Sequence, residues 1–194
     1  MSEALTSLDA VKRYLGLSSD TDDELLTELI ARVSDGIVAY CGREFALGDY
    51  AEYHDGDGSD TLLLKQRPVT EVVALSQDGV EIAAADFVVY PEVGVAQLKS
   101  GVFGRGARNV YTSYRAGYAT IPGDVEQAAV EWVARLYAAR GAAGGRAIAS
   151  ERVGDYAVTY DGGAAGDVGA QGPPATVRAA LEPYRAALAR AVGK

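Results

Sequence analysis

Residues 114–126 read YRAGYATIPGDVE, an alternating run that gives way to a helical one. Upstream, NVYTSYRAG sets Val110, Thr112 and Tyr114 against Tyr111, Ser113 and Arg115, the period of two expected of a half-buried strand. Downstream, Pro122 suits a first helical turn, where its missing N–H is no loss. Asp124 and Glu126 suit the positive end of the helix dipole. Val125, Ala128, Ala129, Trp132, Val133, Leu136 and Tyr137 then mark one face at helical spacing. The stretch therefore joins a β region to a helix expected over 122–140. Tyr114 and Tyr118 read as packing anchors rather than site residues.

Working back to the N-terminus, Thr6 and Ser7 precede Leu8, Val11 and Leu15, and Gly16 follows. This predicts a short helix over 7–15 with a polar cap and a glycine stop. Thr21 and Glu24 have capping-box spacing. Leu25, Leu26, Leu29, Ile30, Val33, Ile37, Tyr40 and Cys41 then predict a second helix over 21–42, whose apolar stripe meets that of the third. Residues 50–116 predict five to seven short strands, mostly antiparallel. EYHDGDGSDTLLL reads as two strands around a turn, Asp78-Gly79 marks a hairpin, and DFVVYP and VAQLKS are further strands.

The chain after 140 has a different character. A Gly/Ala stretch precedes a strand expected over 152–160. A loop with little to bury then leads to a helix over 175–192, which Pro183 should kink or restart. The fold class is α+β: a small bundle of three core helices with an inserted, mostly antiparallel β region and an extended C-terminal arm ending in a helix. The expected division is a core of residues 1–140 and an arm of residues 141–194. So small a core should leave the arm little surface, and the arm should order against neighbouring molecules.

Composition narrows the function. Of 194 residues, 48% are hydrophobic, enough for a core, and no apolar run approaches a membrane span. The opening MSEALTSLDAVKRYL lacks a basic segment followed by an apolar one, so no secretory signal is expected. One cysteine, Cys41, excludes an intramolecular disulfide and a multi-cysteine zinc site, and fits a reducing compartment. It sits on the apolar stripe and reads as a small buried hydrophobe. The net charge is −9, and residues 1–60 hold 14 acidic against 4 basic side chains. Such a chain does not grip nucleic acid through phosphates.

No catalytic constellation emerges, and neither an enzyme activity nor a cofactor is expected. His54 stands alone, without a nucleophile motif. HDGDGSD at 54–60 places Asp55, Asp57 and Ser59 like the first positions of a calcium loop. Asp60 then stands where Gly belongs and Gln66 where Glu belongs, so a solvated turn is the better reading. GVFGRGARN at 101–109 reverses the dinucleotide glycine spacing and reads as a flexible tip, from which Arg105 and Arg108 can meet a phosphate or an acidic partner.

LTSLDAVKRYLGL and DDELLTELIARVSDGIVAYCGREF resemble the opening of the head-tail connector (adaptor, or head-completion) proteins of long-tailed bacteriophages. The pattern ends on Tyr40, Gly42, Arg43 and Phe45. LLLKQRPVTEVVALSQDG, YRAGYATIPGDVEQAAVEWVARLY, ERVGDYAVTY and ALEPYRA are similar to four further segments in the same order. The resemblance implies a non-enzymatic virion protein at the head–tail interface, assembled in the bacterial host cytoplasm. It implies a ring of twelve copies below the portal, facing a stopper or tail-completion protein, with DNA passing through unread. The alternatives are a stopper or tail-completion protein itself, and a small metal- or nucleotide-binding enzyme. Residues expected to face the channel or an interface are Asp22, Asp23, Glu24, Arg105, Arg108, Tyr156, Tyr160, Tyr184 and Arg185. No metal ligands and no membrane contact are expected.

Overall fold

The computed structural model describes residues 3–143, 151–153, 156–158 and 172–185. They fall into a helical unit, Met1–Cys41 with Gly123–Arg185, and a β unit, Gly42–Pro122. The class is α+β, with helices, antiparallel sheets and a C-terminal helix.

The helical unit contains α1 (Leu8–Leu15), α2 (Asp23–Cys41), α3 (Gly123–Ala143) and α4 (Ala175–Leu181), the last running into a 3-10 turn, Glu182–Tyr184. Ser7 caps α1 by accepting a hydrogen bond from the Ala10 N–H at 3.2 Å. The predicted capping box of α2 gives way to a helix that begins at Asp23. There the Thr21 N–H donates to Ser19 Oγ, and the carboxylates of Asp22 and Asp23 are spent on other elements. α3 starts one residue after Pro122. It touches α1, α2 and α4, so it is the element around which the unit is built. Leu26, Ile30, Val33 and Ile37 on α2 and Val125, Ala129 and Val133 on α3 are fully or almost fully buried, at the three- and four-residue spacing the sequence displays.

The C-terminal helix corrects the expectation that it finds no room on the core. Val177 and Leu181, one turn apart, are buried, and α4 packs on α3. Arg135 Nη2 donates to Thr176 Oγ1 at 3.1 Å, Tyr184 Oη donates to both Asp124 oxygens at 2.8 Å, and Tyr40 Oη reaches Glu182 at 3.3 Å. Pro183 stands inside the 3-10 turn, where the α-helical bonding ends. The remainder of the helix expected to 192 lies outside the described residues. The single strand expected over 152–160 is instead two short strands, β8 (Glu151–Val153) and β9 (Tyr156–Val158), paired antiparallel with Val153 opposite Tyr156. Gly154 and Asp155 lie between them in sequence, outside the described residues.

The β unit carries β1 (Gly48–Gly56), β2 (Thr61–Leu63), β3 (Val69–Gln77), β4 (Val80–Glu81), β5 (Phe87–Tyr90), β6 (Val95–Leu98) and β7 (Gly106–Ala116). Two antiparallel sheets result, ordered β1-β7-β3-β4 and β2-β6-β5. β1 and β2, adjacent in sequence, do not pair with each other; β1 lies beside β7 and β2 beside β6. The Asp78-Gly79 turn forms as predicted, with φ of 51° and 79°, the left-handed pair that a two-residue hairpin needs. Leu62, Phe87 and Ala96 from the small sheet share one buried core with Leu75, Val110 and Tyr114 from the large one.

The segments leading into and out of this unit are tied together. Leu47 N donates to Tyr118 O at 3.1 Å, Tyr118 N to Phe45 O at 2.8 Å, and Gly117 N to Pro68 O at 2.9 Å. The buried Arg43 guanidinium stacks over the rings of Phe45 and Tyr118 and donates to the Arg67 carbonyl. Gly117 adopts φ 112°, and a Cβ there would stand 2.3 Å from Ala46 O. Only glycine satisfies both the dihedral and the close approach.

Gly117→Ala should therefore cost about 2–4 kcal/mol in urea unfolding. Gly123→Ala, which faces open space at ordinary φ, should stay within about 0.5–1 kcal/mol of the parent. Leu181→Ala should cost about 2–4 kcal/mol if α4 is a true part of the helical core. A near-zero change there would show that α4 adds no packing.

Candidate interaction surfaces

The period of two in β1 aims Tyr50, Glu52 and His54 inward and Asp49, Ala51 and Tyr53 outward. Inside, Tyr114 Oη donates to Glu52 and accepts from Gln66 N at 3.0 Å, while Gln66 Oε1 accepts from Glu44 N at 2.9 Å. A polar chain thus runs from the sheet interior to the segment that leads into the unit. Burial first, then the Glu52 carboxylate, raises the Tyr114 phenol pKa well above its ordinary value, so the phenol remains a donor. His54 Nε2 lies 3.3 Å from Glu52 Oε2. Burial nevertheless holds the His54 pKa below its ordinary value, against the opposing pull of Glu52 and Asp55. These groups support the sheet.

The 54–60 turn is committed to structure. Asp55 Oδ1 accepts from Arg108 N at 2.6 Å, Asp57 Oδ1 from Ser59 N at 2.8 Å, and Asp60 Oδ2 from Gln97 at 2.8 Å. Three carboxylates turned to three different donors do not converge on a cation, and no His/Cys/Asp/Glu metal cluster occurs among the described residues. The 101–109 segment is not the loose tip the glycines suggest. Phe103 is buried, its N–H donates to Ser59 O at 2.7 Å, and its carbonyl accepts from Gly58 N at 2.9 Å. An aromatic anchor outweighs the glycines around it.

The outer faces of the two sheets are unusual for their exposed side chains. On the large sheet, Tyr53 is 57% exposed and its ring meets that of Tyr111, its cross-strand partner, in a tilted contact at 5.0 Å. The Arg108 guanidinium lies 5.0 Å from the Tyr53 ring centroid. Arg108 itself adopts φ 50°, a left-handed conformation held by the Asp55 bond to its N–H. Small residues, Ala51, Ser113 and Ala74, form the neighbouring row. On the small sheet, Leu63, Val95 and Tyr90 stand side by side across three strands, with Thr61, Gln97 and Val88 as the next row. Leu63 and Tyr90 are 46% and 47% exposed. LLL at 62–64 and FVVY at 87–90 are unbroken apolar runs, so the row is defined only once the strand register is fixed.

Among the sequence-predicted residues, Asp22 accepts from Tyr137 Oη at 2.7 Å and from Arg140 at 3.0 Å. These two bonds, Tyr137 first, hold its carboxyl below the usual range. Asp23 pairs with Lys12 at 2.8 Å, and Glu24 is exposed. Arg105 is exposed beside the 54–60 turn, whereas Tyr184 and Arg185 are engaged with Asp124, Glu182 and the Tyr40 ring. The side chain of Tyr156 and all of Tyr160 lie outside the described residues. The structure thus gathers Arg108 with Tyr53 and Tyr111, and leaves the acidic and C-terminal residues in the other unit.

A family model for head completion proteins matches residues 4–187, and the chain belongs to that family of head–tail completion proteins. No curated protein sequence matches it. A chain in the neck of an empty gene transfer agent (GTA) particle, computed with C6 symmetry, superposes with a TM-score of 0.60 at 18% identity. That match covers 100% of this chain and 96% of the other. A chain of the native GTA virion gives 0.60 at 16% identity, with 100% and 95% covered. One in the native GTA neck computed with C12 symmetry gives 0.55 at 18%, with 100% and 98% covered. These likenesses establish a shared fold.

If the folded state resists protonation at His54, the unfolded chain takes up that proton alone below about pH 6.5. Stability then falls as pH drops from about 7.5 to 5.5, because the unfolded state binds more protons in that window. His54→Gln should show a smaller loss over the same window in urea titrations. Equal losses would place His54 outside the buried cluster.

Proposed function

We propose that this head completion protein is a structural ring adaptor between the portal of a phage-type capsid and its tail or stopper, lining part of the DNA path. The match of nearly the whole chain to the head completion family carries this reading. The cyclic symmetry used for the necks that hold its structural relatives supports a ring. The chemistry agrees. The inward polar groups are consumed in supporting the sheet, and the exposed features are aromatic and aliphatic surfaces fit for protein contacts. A net charge of −9 suits a passage through which a duplex slides without adhering. Of the acidic N-terminal residues, Glu24 presents its charge to solvent, whereas Asp22 and Asp23 are tied to other helices. C-terminal residues after the described segment, and Tyr156 and Tyr160, remain the arm proposed to reach a neighbour or the portal.

The test is the mass of the purified chain alone and with the portal of the same particle. Mixing with portal should yield a complex holding several copies, a multiple of the protomer mass. It should not retain duplex DNA at about physiological salt. A chain that stays a single copy with portal present would refute the adaptor reading.

A further inference from the structure

Resting on the ring reading above, we propose that neighbouring copies join head to tail through their β units. The outer face of the three-stranded sheet of one copy packs on the outer face of the four-stranded sheet of the next. The first surface is Leu63, Val88, Tyr90 and Val95; the second is Tyr53, Tyr111 and Arg108.

An antiparallel sheet that buries one face normally turns polar side chains out on the other. The small sheet breaks this rule. Its inner positions Leu62, Phe87 and Ala96 are already buried in the core, yet the outward row Leu63–Val95–Tyr90 is apolar across all three strands. Val88 adds an exposed apolar side chain in the next row, beside Thr61 and Gln97, and exposed Val93 flanks the first row in the adjoining turn. An apolar strip of this kind, continuous across a sheet, marks a contact surface. The large sheet offers a different surface: two tilted tyrosine rings in contact, with a guanidinium over Tyr53, beside a row of small residues that lets a partner approach closely. Tyrosine and arginine are the side chains that most often dominate interface energetics. The Asp55 bond holds the Arg108 backbone in its left-handed conformation, so the stack is set before any partner arrives.

The geometry of the unit selects the occupant. Both sheets turn their inner faces into one shared core, so their outer faces point in opposite directions. Each copy therefore carries two unlike sticky surfaces directed away from each other. A two-fold dimer uses one self-complementary patch, whereas a closed ring uses two different patches, one meeting the other on the next copy. Aliphatic strip against aromatic-guanidinium stack is such a pair, and a second copy of this chain supplies both halves.

The experiment uses full-length protein with portal. Leu63→Glu with Tyr90→Glu disables the first surface, and Tyr53→Ala with Arg108→Glu the second. Both pairs are exposed, so far-UV circular dichroism and melting should stay near the parent. Each double variant alone should lose ring assembly at least about tenfold. Mixed together, they should give crosslinkable dimers and nothing larger, because one intact surface remains on each and these two are complementary. Rings formed by either folded variant, or a mixture that yields only monomers, would overturn the proposed faces while leaving the adaptor reading intact. A parent chain that never exceeds one copy on portal would overturn both.

Discussion

The segments that lead into and out of the β unit are held by each other, and the architecture depends on that tie. Phe45, Leu47 and Tyr118 exchange backbone hydrogen bonds, and the buried Arg43 stacks on two of their rings while bonding the Arg67 carbonyl. A buried guanidinium is costly unless its donors and its flat faces are both used. Here a carbonyl takes a donor and two aromatic faces take the cation. Gly117 allows the close crossing that makes this possible. Because the insert leaves and returns at one place, it interrupts the sequence between α2 and α3 without dividing the helical unit.

The β unit then handles its polar interior by connection rather than exclusion. Tyr114 is wholly buried, but its hydroxyl both donates and accepts, joining Glu52 to the backbone of Gln66. Gln66 passes the connection on to Glu44, next to the crossing. A satisfied buried network fixes register, since a slip of one residue would turn Glu52 and His54 to solvent and Tyr53 into the core. The same register decides which side chains are left outside. It is thus the link between core packing and the surfaces offered to other molecules.

Much of the fold was legible because periodicity reports burial directly. The stripes of α2 and α3, the alternation in β7 and the Asp78-Gly79 turn all depend on local spacing. What failed depended on distant partners. Glycines around Phe103 suggested a loose tip, whereas one aromatic anchored by Ser59 pins it. At 54–60 a solvated turn was the better reading, but spacing could not show that Asp55 and Asp60 are taken up by the distant Arg108 N–H and Gln97. The Ala-rich last helix appeared to have no place to bury itself, though Val177 and Leu181 suffice to seat it on α3.

By itself the sequence determined the first three helices and the β insert, because those follow from residue type and spacing within a few turns. The ordered segments around Tyr40, Gly42, Arg43 and Phe45 also carried the resemblance to head-completion proteins. Only the tertiary structure decided that β1 and β2 belong to different sheets, that Arg43 is buried between rings, and that Leu63, Val95 and Tyr90 form one outward-facing row. Each of these depends on which strand lies beside which, and strand pairing is set by long-range packing that no local window contains.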